Sequence, residues 1–208
     1  RFFYIYISSK SLKINVFIFQ QILESNHVKE AVIPEGASII PKSQFFGCRS
    51  LEKVCLPESV SVIEDYAFAD CNVLKVWESM EKLSLKSVGI SAFENCYALE
   101  FISLPDSLTV IEGAAFADCV SVNKLIFSDT SLLNKIGDHA FRGCRNLKEV
   151  YLPDSVEYVG ISAFRDCVSL EQISVSEKIK DQPGIAELEK NCPNARIRFR
   201  EVNSVEKE

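Results

Sequence analysis

The sequence has few of the residues that usually carry chemistry. Only two histidines are present, His27 and His139, and they lie far apart in the chain. There is no Cys-x-x-Cys spacing, so we predict no metal site. The eight glycines form no phosphate-binding loop, and we expect no cofactor. Because nucleophilic catalysis needs a base held beside the nucleophile, we predict no catalytic residue and no enzyme activity.

Clustered positive charge and long apolar runs are also lacking. The 23 lysines and arginines are outnumbered by 29 acidic residues, and no basic run stands out, so nucleic acid is not an expected partner. The apolar N-terminal stretch, residues 1–19, is interrupted by Ser8, Ser9, Lys10, Lys13 and Asn15. It is too broken for a bilayer span, which needs about 20 apolar residues. We predict no membrane-spanning segment, and we recognise no signal-peptide cleavage site.

A strict repeat of cysteine and phenylalanine dominates what is present. Seven cysteines lie alternately 23 and 25 residues apart, namely Cys48, Cys71, Cys96, Cys119, Cys144, Cys167 and Cys192. A phenylalanine stands three residues before each of the first six, at positions 45, 68, 93, 116, 141 and 164. A fixed internal period predicts a repeat architecture, in which each unit buries its apolar face against its neighbours.

The repeat sets the expected domain boundaries. We predict seven coils over 25–175, in which alternating lengths of 23 and 25 residues indicate duplication of a 48-residue pair. Residues 1–24 are expected to be a degenerate coil that caps the N-terminus. Residues 176–208 are expected to be a C-terminal cap with a polar tail, because a terminal coil must meet water on its outer side.

Each coil also contains one strand signal. The pattern Leu-x-x-(Ile/Val)-x-Leu, as in Leu147, Val150 and Leu152, ends with alternating buried and exposed positions, and proline often follows. Stacked coils would align these strands into a parallel sheet, with the Ala-Phe-x-x-Cys segment returning on the opposite side as a turn or short helix. The recurring Asp70, Asp118 and Asp166 are expected to be turn or capping residues, and His139 falls in a variable surface position.

The full motif resembles the BspA-type leucine-rich repeat. It reads Ile-(Gly/Glu)-x-x-Ala-Phe-x-x-Cys-x-x-Leu-x-x-(Ile/Val)-x-Leu-Pro-x-Ser-(Val/Leu), and its clearest copies begin at Ile63 and Ile136. The resemblance covers roughly 25–175. It implies an α/β repeat solenoid, a right-handed coil with one parallel sheet face and short turns or helices opposite. It also implies a cell-surface or secreted protein that adheres to host proteins or to other microbes.

The cysteines allow two interpretations. Neighbouring coils lie about 4.8 Å apart, so disulfides are geometrically possible. A free cysteine behaves as a small buried apolar group, and an odd ladder of equivalent positions has no natural pairing, so we favour buried thiols. Cys55 differs because it falls at an outward strand position, and we expect it to react first with thiol reagents.

The outward strand positions provide the candidate binding site. Phe101, Ile126 and Tyr151 form a predicted apolar centre, which Val76 adjoins, and the charged residues Lys124 and Glu149 border it. An apolar centre with a polar rim is typical of protein interfaces. Seven strands would give a face of roughly 600 Å², against about 800 Å² per partner in a standard interface.

Two functions remain open at this point. The first is a non-catalytic protein-binding scaffold, with a host extracellular or surface protein as the expected ligand. The alternative is a structural spacer or intracellular interaction scaffold within a longer protein.

Overall fold

The coils stack into a parallel β-solenoid of about seven turns. The computed structural model describes residues 3–6, 28–79, 83–128 and 130–201. Its strands, in chain order, are β1 (Phe3–Tyr6), β2 (Val28–Val32), β3 (Ile39–Ile40), β4 (Lys53–Leu56), β5 (Val62–Ile63), β6 (Val76–Ser79), β7 (Ser87–Val88), β8 (Phe101–Ser103), β9 (Val110–Ile111), β10 (Lys124–Ile126), β11 (Lys135–Ile136), β12 (Glu149–Tyr151), β13 (Tyr158–Val159), β14 (Gln172–Ser176) and β15 (Arg196–Arg200).

The longer strand of each coil lies on one side of the molecule, which we call the main sheet. Parallel pairing there joins β1, β2, β4 and β6, then β8 and β10, then β12, β14 and β15. The strand β1 lies within the predicted N-terminal cap, and β15 lies within the predicted C-terminal cap. The remainder of the first cap, residues 7–24, and the polar tail beyond residue 201 lie outside the described residues.

The structure corrects the prediction of a single sheet. Six two-residue strands, β3, β5, β7, β9, β11 and β13, form a second parallel sheet. Each ends in a buried isoleucine or valine, a β-branched residue that suits extended backbone. The Ala-Phe-x-x-Cys segments are turns, and helical residues in the described ranges are confined to a 3₁₀ turn (Glu177–Ile179), α1 (Pro183–Ala186) and α2 (Leu188–Asn191). The α/β class is therefore not confirmed.

A column of stacked phenylalanines runs through the interior. The six rings are at most 1% exposed, and the centroids of neighbouring rings lie 5.0–5.5 Å apart with interplanar angles of 3–17°. Each ring therefore has a similar ring as its neighbour in the next coil. The period of 23 and 25 residues in the sequence therefore places one phenylalanine of each coil in this column.

The periodic cysteines form a second column beside the rings. All seven are at most 3% exposed, as predicted, and they are free thiols. From Cys71 onward each Sγ donates to the backbone carbonyl of the phenylalanine in the preceding coil, over 3.1–3.4 Å. Cysteine suits this position because it has a small apolar volume and a weak donor for a buried carbonyl.

Each return turn contains two residues with left-handed backbone, placed two residues before and two residues after the phenylalanine. The later position holds Gly47, Asp70, Asn95, Asp118, Gly143 and Asp166, with φ of 58–73°. Glycine, asparagine and aspartate are the residues that adopt this conformation at low cost. The recurring aspartates are therefore turn residues, as the sequence predicted. The earlier position includes His139 with φ of 58°.

These turns join successive coils by hydrogen bonds that all point the same way. Tyr66, Phe68 and Asp70 donate backbone N–H to the carbonyls of residues 90, 92 and 94 in the next coil, over 2.7–2.9 Å. The same triple recurs between the following coils up to residue 165. We call this the turn ladder. Its donors face the C-terminal end of the solenoid and its acceptors face the N-terminal end.

Where the turn ladder ends, a carboxylate accepts the hydrogen bond that the backbone carbonyl of a further coil would otherwise accept. Glu187 Oε2 accepts from both the N–H and the Oγ of Ser162, each over 3.2 Å, and from Asn191 Nδ2 over 3.2 Å. The equivalent N–H of His139 donates to a backbone carbonyl of the next coil. The segment with α1 and α2 thus satisfies a donor that would otherwise be left unpaired.

Candidate functional site

The outward face of the main sheet carries two columns of side chains, which we call the outer face. From β2 onward, strand register aligns the columns within each group of paired strands, and the repeat period continues them from one group to the next. The first column contains Glu30, Lys53, Val76, Phe101, Lys124, Glu149, Gln172 and Arg196. The second contains Val32, Cys55, Ser103, Ile126, Tyr151, Ser174 and Arg198. The six candidate residues occupy the positions in these columns at which the sequence placed them.

The apolar candidates are exposed to different extents. Tyr151 is 58% exposed, Phe101 41% and Ile126 38%, whereas Val76 is half-buried at the start of β6. Ile126 lies diagonally from Phe101 on the paired strand, a separation at which large side chains can meet. Tyr151 follows in the next coil of the same column. The three side chains therefore form one patch, and Val76 lies beside it.

The charged candidates border that patch. Lys124 pairs with Phe101 in register and is exposed, and Glu149 is exposed on the next strand of the same column. This arrangement has the polar rim and apolar centre of a small protein interface. The strands concerned are only three residues long, so the patch is narrow.

Sequence reasoning missed the arginines of β15. The strand reads Arg-Ile-Arg-Phe-Arg and pairs in parallel with β14, so Arg196 and Arg198 extend the two outward columns. Both side chains are exposed. The signal was an alternation of polar and apolar residues with period two, which predicts a strand even outside the repeat motif.

Arg200 reaches back over the outer face to Tyr151. Its guanidinium carbon lies 3.7 Å from the centroid of the tyrosine ring, within the range of a cation–π interaction. Its Nη2 donates to the carbonyl of Leu152 over 2.6 Å and to Asp154 Oδ1 over 2.8 Å. Arg200 therefore links the last strand to the exposed tyrosine two coils earlier.

Cys55 is more buried than its outward strand position predicted. It lies at an outward position of β4, but it is only 7% exposed, and its Sγ donates to Glu30 Oε1 over 3.5 Å. A small side chain between longer neighbours is shielded even on the outer side of a sheet. The expected exposed thiol is therefore not found, although Cys55 is still the most exposed of the eight cysteines, and its early reaction stays a prediction.

We expect all eight thiols to resist a labelling reagent such as Ellman's reagent until the protein unfolds. Burial raises the pKa of the Cys192 thiol to about 11 and also raises the pKa of Cys119 well above its usual range, so little thiolate forms near neutral pH. Absorbance of the released reagent thiolate should indicate almost no reacted thiol in native buffer and eight reacted thiols per chain in denaturant. A Ser103→Cys variant, at an exposed position, is the positive control. Rapid reaction of one thiol equivalent, absent from a Cys55→Ser variant, would support the sequence prediction for Cys55.

The described residues show no constellation typical of an enzyme. His139 sits on a turn, and its buried Nδ1 has no partner among those residues, while His27 lies outside them. No group of histidines, cysteines and carboxylates in the described ranges is arranged to hold a metal ion. A groove of about 340 Å³ borders the second sheet, but its Glu64 and Glu112 are engaged by Lys42 N–H and Lys135 Nζ. None of the helices described is long and apolar enough to cross a membrane.

The family is decided by comparison of the sequence with family models. The model described as a BspA type leucine rich repeat region matches residues 12–130 and 79–186, with six copies. The chain belongs to the BspA-type leucine-rich repeat family. Proteins of this family are generally non-catalytic scaffolds, which agrees with the expectation of no enzyme activity. No curated protein matches the sequence.

Solved bacterial structures share the fold of this BspA-type protein. A leucine-rich repeat protein of T. pallidum is 27% identical with a TM-score of 0.53, and 84% of this chain aligns with 70% of that one. A Bacteroides ovatus leucine-rich repeat protein is 22% identical, with a TM-score of 0.57 and coverage of 84% and 61%. A leucine rich cell surface protein of Faecalibacterium prausnitzii is 21% identical with a TM-score of 0.53, and 89% of this chain aligns with 63% of that one. The chain thus spans less than two thirds of the latter two.

Proposed function

We propose that this BspA-type chain is a protein-binding scaffold whose ligand contacts the outer face. The observation that carries the proposal is the exposed cluster of Phe101, Ile126 and Tyr151 on a rigid sheet. Tyrosine and phenylalanine supply a large contact area, and aromatic anchors are enriched among the residues that dominate binding energy. The repeat supports this by fixing the spacing of the three side chains through a continuous core.

We further propose that the protein acts at the cell surface or after secretion, in adhesion or host interaction. The similar F. prausnitzii protein is described as a cell surface protein, and the BspA-type repeat itself suggests the same location. Because the outer face is narrow, a stable complex would also use neighbouring loops or further repeats. The competing function is a spacer that presents another domain, for which the outer face would have no ligand.

The test is a comparison of binding by two double variants. A ligand is isolated with the wild-type chain as bait from extracellular and surface proteins, and its affinity is then measured by surface plasmon resonance. We expect Phe101→Ala with Tyr151→Ala to raise Kd about thirtyfold, since removing aromatic anchors costs about 2 kcal/mol. The melting temperature should change only slightly, because both residues are exposed and loss of the Arg200 stacking on Tyr151 costs about 0.5–1 kcal/mol.

The matched control replaces the same residue types on the turn side. Phe46 and Tyr97 are 43% and 44% exposed, close to the exposure of Phe101. Phe46→Ala with Tyr97→Ala should leave Kd unchanged. Equal loss of affinity in both variants, or in the control alone, would place the ligand elsewhere. Failure to isolate any ligand would favour the spacer.

A further inference from the structure

The C-terminal half of the outer face is positively charged, although the chain has a net charge of -6. Apart from Arg200, which is paired with Asp154, the outward positions of β10, β12, β14 and β15 hold the three cations Lys124, Arg196 and Arg198 against one carboxylate, Glu149, and all four are exposed. Neither Arg196 nor Arg198 forms an ion pair with any residue in the described ranges. Their charge is therefore available to a partner.

The N-terminal end of the main sheet is different because its charges are already paired. Glu52 lies between Lys29 and Lys75, with carboxylate oxygens 2.7 and 3.2 Å from the two Nζ atoms. These hydrogen bonds and charges lower the pKa of Glu52. At the outward positions of β2 and β4 the single carboxylate, Glu30, offsets the single cation, Lys53, so the excess of positive charge lies on the last strands, beside the apolar patch.

From this juxtaposition we propose that the outer face from β10 to β15 binds an acidic protein segment, in which carboxylates flank an apolar side chain. The inference rests on the proposed function and specifies the chemistry of its ligand. Opposite charge across an interface speeds association and selects the partner. The apolar patch at Ile126 and Tyr151 takes the hydrophobic side chain, and Arg196 and Arg198 take the carboxylates.

Tyr151 and Arg198 together suit one of these carboxylates. The two residues are aligned in register with Ser174, one strand away on either side. Ser174 is only 3% exposed, so larger neighbouring side chains cover it, and a ligand would rest on Tyr151 and Arg198. An aspartate or glutamate lying there would place its methylene groups against the tyrosine and its charge against the arginine, which can bind a carboxylate through two N–H groups.

Arg200 holds in place the tyrosine ring that this side chain would contact. Its guanidinium stacks on Tyr151, while its bonds to Leu152 and Asp154 hold the guanidinium in place. Ordering a side chain in advance lowers the entropic cost of binding.

The test uses three labelled polymers and the full chain. The probes are a random copolymer of glutamate and tyrosine, a copolymer of lysine and tyrosine, and heparin, with binding followed by fluorescence anisotropy at low and moderate salt. We expect the glutamate–tyrosine copolymer to bind most tightly, and added salt to weaken its binding. Absence of measurable binding by this copolymer, or tighter binding of the lysine copolymer, would overturn the proposal.

Charge reversal locates the site. Arg196→Glu with Arg198→Glu should weaken binding of the glutamate–tyrosine copolymer about tenfold or more, since two attractive contacts become repulsive. Arg49→Glu with Arg145→Glu makes the same change of net charge at exposed turn positions and should alter binding less than about twofold. Equal weakening in both variants would mean a response to net charge alone, which contradicts the proposal.

Two further outcomes separate this inference from the proposed function. In the first outcome, Arg196→Glu with Arg198→Glu binds the glutamate–tyrosine copolymer as tightly as the wild type, whereas Phe101→Ala with Tyr151→Ala binds it more weakly. The outer face is then a binding surface, but its ligand is not acidic. If heparin matches the glutamate–tyrosine copolymer and Tyr151→Ala affects neither probe, the face recognises negative charge without an apolar anchor. Either result overturns the acidic protein segment as ligand.

Discussion

Phe116→Ala is expected to lower the free energy of unfolding by about 3–5 kcal/mol. The ring is fully buried and lies between Phe93 and Phe141, with centroid distances of 5.1 and 5.5 Å. Truncation removes the transfer free energy of the ring and leaves a cavity that stacked neighbours cannot fill without breaking their own contacts. Urea denaturation followed by circular dichroism measures the change.

Phe46→Ala is the control, because Phe46 is an exposed phenylalanine adjacent to the buried Phe45 in the same return turn. Its substitution should cost less than about 1 kcal/mol. A small effect of Phe116→Ala, close to that of the control, would mean that the aromatic column does not support the fold. A large loss in both variants would point to the turn rather than to the column.

Gly137→Ala is expected to destabilise the protein by about 3 kcal/mol, at the upper end of the range for overpacked interiors. A Cβ at this position would lie 2.6 Å from the backbone nitrogen of Gly113 and 2.7 Å from the carbonyl carbon of Glu112. Both contacts are with backbone of the preceding coil, so no side chain can rotate away. The two coils would have to separate, which weakens the hydrogen bonds between them.

Gly113→Ala tests whether steric contact is the cause. The nearest atom to a Cβ there is the carbonyl oxygen of Asp138 at 3.4 Å, close to an ordinary contact. We expect a neutral or slightly stabilising effect, because alanine restricts the unfolded chain. The midpoints of thermal unfolding for the two variants should therefore differ by several degrees, and similar midpoints would show that the coils accommodate a methyl group.

The repeat made the interior predictable, because burial has the same period as the sequence. Counting residues along the repeat was enough to place the phenylalanine and cysteine columns and the register of the outer face. The second sheet could not be placed in this way, since two residues per strand are too few to show alternation. The burial of Cys55 could not be predicted either, because alternation predicts the direction of a side chain but not how far the neighbouring side chains extend over it.

The candidate site was predictable in part, for a related reason. Phe101, Ile126 and Tyr151 fall inside the repeat, so counting placed them on one face. Arg196, Arg198 and Arg200 follow the last repeat, and their link to the same face depends on β15 pairing with β14. The interaction of Arg200 with Tyr151 crosses two coils and 49 positions, a distance over which local patterns carry no information.

The turn ladder is polar along the solenoid axis, although other hydrogen bonds between coils, such as that from Gly137 N–H to the Ile111 carbonyl, point the opposite way. Its backbone dipoles are aligned along the solenoid axis, as in a helix, so the C-terminal end of the ladder carries partial positive charge and the N-terminal end partial negative charge. The carboxylate of Glu187 at the donor end is the expected complement. Because donors meet only acceptors, any added coil must join head to tail. Two identical ends cannot pair through this ladder, so a symmetric dimer would have to use another surface.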